Sequence, residues 1–156
     1  MERPNRNDTA ILKAAATEIA IRCAEWAGDG SEPDEWVDDL CEALRYGRDD
    51  GYELAKYLDD RAGVTPDAEL VDILSDAWHV VSRVYNAALA AWSEATGFAP
   101  AFNVGDRVHT PRGPGIIRSI DEKRASYCVK LDSETRAHVL GTYVNAEDVT
   151  AERVPV

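Results

Sequence analysis

Between Arg22 and Arg45 the chain carries eight acids and no base: Glu25, Asp29, Glu32, Asp34, Glu35, Asp38, Asp39 and Glu42. Carboxylates this dense have two chemical uses. Spread over one face, they dock on a basic protein surface, or they imitate DNA phosphates and occupy the basic groove of a nuclease, a polymerase or a defence complex. Paired one helical turn apart, they hold Mg2+ against a pyrophosphate. Glu32 and Glu35, Glu35 and Asp38, and Glu69 and Asp72 have that spacing. A plainer use is solubility, because acids three residues apart are common on exposed helices. Two positional arguments weaken the metal reading. Glu32 and Glu35 flank a helix start, where the dipole favours acids, and Asp72 lies off the apolar line of its helix. The docking face is therefore assigned to Asp29, Glu32, Asp34, Glu35, Asp38, Asp39 and Glu42, with a basic protein surface as the expected partner.

A second candidate is "VGDRVHTPRGPGIIRSID", residues 104–121. Its glycines suggest a phosphate loop, but no Lys-Ser/Thr follows, and the next residues are β-branched where a helix should start. Over residues 104–130, six cations (Arg107, Arg112, Arg118, Lys123, Arg124, Lys130) face three acids. Phosphate contact needs such charges on one face. Single-strand binders also interleave exposed aromatics, and this stretch offers only Tyr127. Nucleic acid is thus the less favoured partner. Arg107, Arg112 and Arg118 are the expected contacts of this part. The histidines, His79, His109 and His138, have no nucleophile elbow, HExxH or carboxylate partner beside them. The reading assigns no catalytic residue, no metal and no cofactor.

The acids must be positioned by helices. Asp8 can cap a first helix with Ile11, Ala15, Ile19, Cys23 and Trp26 on its inner line. Ser31 followed by Pro33, Asp34 and Glu35 predicts a second helix carrying Trp36, Leu40 and Leu44, with Gly47 as its left-handed terminator. A third runs from about Asp50 to Ala62 with Gly63 as its stop. Thr65 and Pro66 open a long fourth pattern reaching Thr96. Its line Leu70, Leu74, Ala77, Val81, Val84, Ala88, Ala91 is a heptad seam, with a second line at Val71, Trp78, Tyr85 and Trp92. It reads as the spine of a four-helix bundle; a homodimer through this helix is the alternative use, and Ser75-Asp76 is a place where it could split.

After Pro100 the period changes to two. The runs "FNVGDRVHT", "GIIRSI", "SYCVKL", "AHVLGTYV" and "EDVTAERV" predict short strands with turns between them. "VGDRVHTPRGPGIIRSID", "YCVKLD" and "NAEDVT" resemble the SH3-like small barrels of the KOW, Tudor-like and CarD-type families over roughly residues 102–150. The resemblance implies a binding module whose ligands range from nucleic acid to polymerase subunits and peptides. Tyr127 and Tyr143 are too few and too scattered for a Tudor-type aromatic cage. The helical part, through "DDGYELAKYLDDRAGVTPDAELVDIL", resembles uncharacterised phage and prophage proteins. All-α nucleoside triphosphate pyrophosphohydrolases are a third resemblance, resting only on the carboxylate pairs named above.

The totals fit this division. The chain has 156 residues, 45% hydrophobic, with net charge −12. Residues 1–100 hold 9 Lys and Arg against 21 acids, whereas 101–156 hold 8 of each. The shift in charge, in Gly and Pro content and in periodicity puts a boundary near 97–102. Three cysteines without CxxC spacing argue against a disulfide framework or zinc site. No apolar run is long enough for a bilayer and "MERPNRNDTA" lacks a signal-peptide core, so a cytoplasmic location in a bacterial or phage-infected cell is expected. The expected protein is α+β: an acidic helical bundle over 8–97, then an SH3-like barrel over 101–151. Its expected function is non-catalytic macromolecular binding. The alternatives are a DNA mimic, nucleic-acid binding through the barrel, and a Mg-dependent nucleotide pyrophosphohydrolase.

Overall fold

A computed structural model describes residues 2–46, 50–136 and 140–152. Gly47 and His138 therefore lie outside the described residues. The protein is α+β, with helices α1 (Thr9–Ala27), α2 (Asp34–Arg45), α3 (Gly51–Ala62), α4 (Ala68–Ser75) and α5 (Ala77–Thr96) followed by strands β1 (Arg107–Thr110), β2 (Gly113–Asp121), β3 (Ser126–Leu131), β4 (Thr142–Asn145) and β5 (Thr150–Ala151). The chain forms two compact units, residues 2–88 and residue 89 onward. The division falls inside α5, ahead of the composition shift near 97–102. The last turns of α5 join the β unit, where the Ser93 hydroxyl donates to the Glu122 carbonyl at 2.5 Å.

The helical unit follows its apolar spacing. Ile11, Ala15, Ile19 and Cys23 of α1 are buried, as are Trp36, Leu40 and Leu44 of α2 and Leu54, Ala55 and Leu58 of α3. They form one core with Leu70, Leu74, Ala77 and Val81. α1 packs on α2 and α4, and α3 packs on α2 and α4. α3 comes close to α4 at Gly51, where a Cβ would stand 2.5 Å from the Val71 carbonyl oxygen.

Three local expectations are corrected. α2 is entered through Pro33, not capped by Ser31. The Ser31 hydroxyl instead accepts from the Trp36 indole. α4 is capped by Asp67, not by Thr65: the Asp67 carboxylate accepts from Leu70 N at 2.9 Å. The same oxygen accepts from the Trp26 indole at 3.0 Å, a contact from α1 that selects Asp67 over its neighbours. The long fourth helix is two helices. Ser75 bonds back to the Val71 carbonyl, which weakens the ladder. Asp76, at the interruption, is held by Arg22 at 2.9 Å. The heptad seam is buried only as far as Val81; Val84 and Ala88 are half-buried and Ala91 is exposed.

The β unit is a five-stranded antiparallel sheet in the order β4-β3-β2-β1-β5. The expected closed barrel is not found: β4 and β5 are edges, and no pairing joins them among the described residues. One sheet face holds the core of Val108, Ile117, Tyr127, Val129, Leu131, Val144 and Val149. The Tyr127 hydroxyl is anchored beneath the entry segment, accepting from Ala101 N at 2.9 Å and Phe102 N at 3.3 Å. Val104, within the run "FNVGDRVHT" that predicts a strand, is 61% exposed where the chain bends at Gly105, whose φ is +94°. The turn between the runs "FNVGDRVHT" and "GIIRSI" is short, since β2 already starts at Gly113 opposite Thr110.

Candidate functional site

The acidic candidates lie along α2, from Asp34 to Glu42, and in the turn before it. Asp29, Glu32, Asp34, Glu35 and Asp38 are exposed, and Asp39 and Glu42 are half-buried. Two of the seven are engaged inside the unit. Asp29 accepts from Ser31 N at 2.9 Å, and that hydrogen bond lowers its carboxyl below the usual range. Glu42 receives Arg61 at 3.4 Å. The other five, Glu32, Asp34, Glu35, Asp38 and Asp39, have no ion-pair partner among the described residues.

The reason is where the arginines of this unit go. Arg22 pairs with Asp76, Arg61 with Glu42 and Arg83 with Glu18. Arg45 reaches the Thr9 hydroxyl at 3.1 Å, and Arg6 stacks over the Trp78 ring at 3.2 Å from its centroid. The free carboxylates are thus a residue of internal pairing. Among the described residues, no three His, Cys, Asp or Glu side chains converge where a metal ion could sit, so Glu32, Glu35, Asp38, Glu69 and Asp72 do not form a common site there.

The three arginines of the β unit separate. Arg107 is held on both sides. Its guanidinium meets both Asp132 oxygens at 2.8 and 2.9 Å and both Glu152 oxygens at 2.8 Å each. Those bonds raise its own pKa and lower that of Glu152. This arrangement ties the residue after β5 to the residue after β3. Arg112 is exposed in the β1–β2 turn and lies 3.4 Å from the Thr142 hydroxyl.

Arg118 alone joins other polar and aromatic groups in a concavity. A groove of about 640 Å3 on the β unit is lined by Arg118, Ser119, Cys128, Lys130, Leu140, Gly141 and Tyr143. The strand register explains it. Ser119, Cys128 and Tyr143 lie opposite one another on β2, β3 and β4, and Lys130 follows Cys128 at the next same-face position. A bulge between Ile117 and Ser119 inserts Arg118 beside Ser119. Strict alternation would have sent these two neighbours to opposite faces; the bulge brings both to the groove.

Ser119, Leu140 and Gly141 are lining residues that the sequence spacing did not mark, and Lys130 and Tyr143 stand out there only as one of six cations and as a scattered aromatic. Tyr143 is 60% exposed and Leu140 86% exposed, while Tyr127, the aromatic singled out earlier, is in the core. The only available signal was the period-two placement of Lys130 and Cys128 on one strand. His109 is exposed on β1. Cys23, Cys41 and Cys128 are all free thiols. Burial pushes the Cys23 thiol up to about 11. Among the described residues no helix is long and apolar enough to cross a membrane. Comparison of the chain with protein-family models, curated proteins and solved structures found no match.

Proposed function

We propose that the protein is a non-catalytic binding protein that docks, through the acids at the start of α2, on a basic surface of a protein partner. The observation that carries this reading is an imbalance among the described residues: Arg22, Arg61 and Arg83 pair with Asp76, Glu42 and Glu18, and five carboxylates within residues 32–39 have no ion-pair partner. Unpaired surface charge of one sign steers a partner of the opposite sign and fixes its register. One further feature favours adhesion. The acids ride on a helix whose other face is locked in the core by Trp36, Leu40 and Leu44. A rigid presenting element reduces the ordering cost of binding.

We infer that the β unit has an SH3-like fold whose sheet is left open between β4 and β5 among the described residues. Support comes from the strand order, in which the last strand returns to pair with the first, and from the one-turn 3-10 helix at Ala146–Asp148 just before it. Capture of partners from an extract of the source cell, by the full chain and by a variant carrying Asp34→Asn, Asp38→Asn and Asp39→Asn, tests the docking. A basic partner held by the wild type at low salt and lost by the variant supports the reading. Retention of the same proteins by both chains overturns it. Displacement of that partner by duplex DNA would turn the reading towards mimicry of DNA.

A further inference from the structure

We propose that the groove across β2, β3 and β4 is a second binding site, one that takes an extended acidic segment of a protein partner carrying an apolar or aromatic anchor. It is independent of the α2 acids, because it lies wholly within the β unit.

Charge sets the sign of the occupant. Arg118 and Lys130 line the groove, no carboxylate lines it, and neither cation has a carboxylate partner among the described residues. Arg107, on the same sheet, shows the contrast, since Asp132 and Glu152 already neutralise it. An arginine and a lysine left this way favour a carboxylate, and the arginine fork suits a bidentate one.

Shape sets the rest. Tyr143 and Leu140 also line the groove, and both are exposed large apolar side chains among the described residues. Such a pair gains from covering by an apolar side chain, because apolar surface is then removed from water. The floor is firm. Cys128 is 5% exposed under the Gly141 backbone, where a Cβ would come within 2.7 Å of its sulfur. A volume of about 640 Å3 accommodates a few side chains, not a folded element.

The same observations disfavour a single-stranded nucleic acid. That class of ligand stacks successive bases on several aromatic platforms, whereas here one tyrosine stands beside a leucine, which offers no ring. The chain's net charge of −12 also repels a polymer charged at every nucleotide more than a peptide with two or three carboxylates.

The test is fluorescence anisotropy on the full chain with four labelled probes. They are a short peptide alternating Asp or Glu with Phe or Leu, the same peptide with Gln for each acid, the same peptide with Gly for each apolar residue, and an oligothymidylate of similar length. The acidic-apolar peptide is expected to bind at least about tenfold more tightly than the other three. That binding should weaken as salt rises from about 50 to about 300 mM. Tyr143→Ala and the pair Arg118→Gln with Lys130→Gln should each weaken it about tenfold or more. These side chains are solvent-facing, and an unchanged melting temperature shows that the fold is kept. Preference for the oligothymidylate, equal binding of all four probes, no binding of the acidic-apolar peptide at millimolar concentration, or indifference to the Arg118 and Lys130 changes would each overturn the proposal.

Discussion

The helical unit and the β unit dispose of their charges in opposite ways. In the helical unit Arg22, Arg61 and Arg83 pair at the surface with Asp76, Glu42 and Glu18, and carboxylates are what remain unpaired on α2 and the turn before it among the described residues. In the β unit two carboxylates close on Arg107, and cations remain in the groove at Arg118 and Lys130. Net charge alone would have described one half as acidic and the other as neutral. A binding face is defined by the charges left after internal pairing, not by the charges counted.

The comparison can be broken first through the interiors that hold each face. Leu58 is fully buried in the helical core, and Leu58→Ala should lower unfolding free energy by about 2–5 kcal/mol in denaturant titration. A loss under about 1 kcal/mol would mean that the packing behind α2 is not as described. In the β unit the matching change is Gly141→Ala, at φ +144° with Cys128 and the Val129 carbonyl in the way. Overpacking of this kind costs about 1–3 kcal/mol, and the groove should lose its floor with it. Full stability in thermal melts would contradict the close approach.

Asp67→Ala comes next, at about 0.5–2 kcal/mol, because the cap of α4 and the partner of the Trp26 indole go together. Quenching of tryptophan fluorescence by iodide should rise alongside the stability loss.

A pH experiment sharpens the same contrast within the core. The Cys23 thiol is pushed from 9.0 up to about 11 by burial. The folded state therefore holds this proton more tightly than the unfolded state. Its contribution is fully present below pH 9 and is lost as pH rises towards 11. Stability should fall across that window and fall less in a Cys23→Ala variant, once each is compared with its own value at pH 8. At pH 8 a thiol reagent should label half-buried Cys41 well before Cys23. Equal labelling rates would refute the burial.

The smallest stability effect belongs to the acids themselves. Asp34→Asn, Asp38→Asn and Asp39→Asn together should shift the midpoint of thermal unfolding only slightly. The helix dipole favours Asp34 in the first turn of α2, whereas relief of like-charge repulsion acts the other way. A large loss would give the acids a structural reason to exist and remove the main support for docking.

Much of the helical architecture was legible because burial and helical period coincide. The α1, α2 and α3 lines and the stop at Gly63 follow from residues three and four apart. Cap choice was not legible, since Ser31, Pro33, Thr65 and Asp67 all suit a helix start and only a distant indole decides in favour of Asp67. Strand alternation marked Tyr127, Val129 and Leu131 as inward. It could not show that Arg107 meets acids 25 and 45 residues away, or that a bulge turns Arg118 beside Ser119. The acids of α2 were visible as a run; which of them stay unpaired depends on Arg61, and on Ser31 N at Asp29, and so on the fold.

The most direct measurement of the central claim compares capture by three full-length chains: the wild type, the Asp34→Asn, Asp38→Asn, Asp39→Asn variant, and the Arg118→Gln, Lys130→Gln variant. Each is presented to the same extract of the source cell at low and at high salt, with partners quantified by mass spectrometry. Charge left over from internal pairing predicts that the first variant loses a basic partner and keeps an acidic one, and that the second does the reverse. Identical partner sets for all three chains would contradict it.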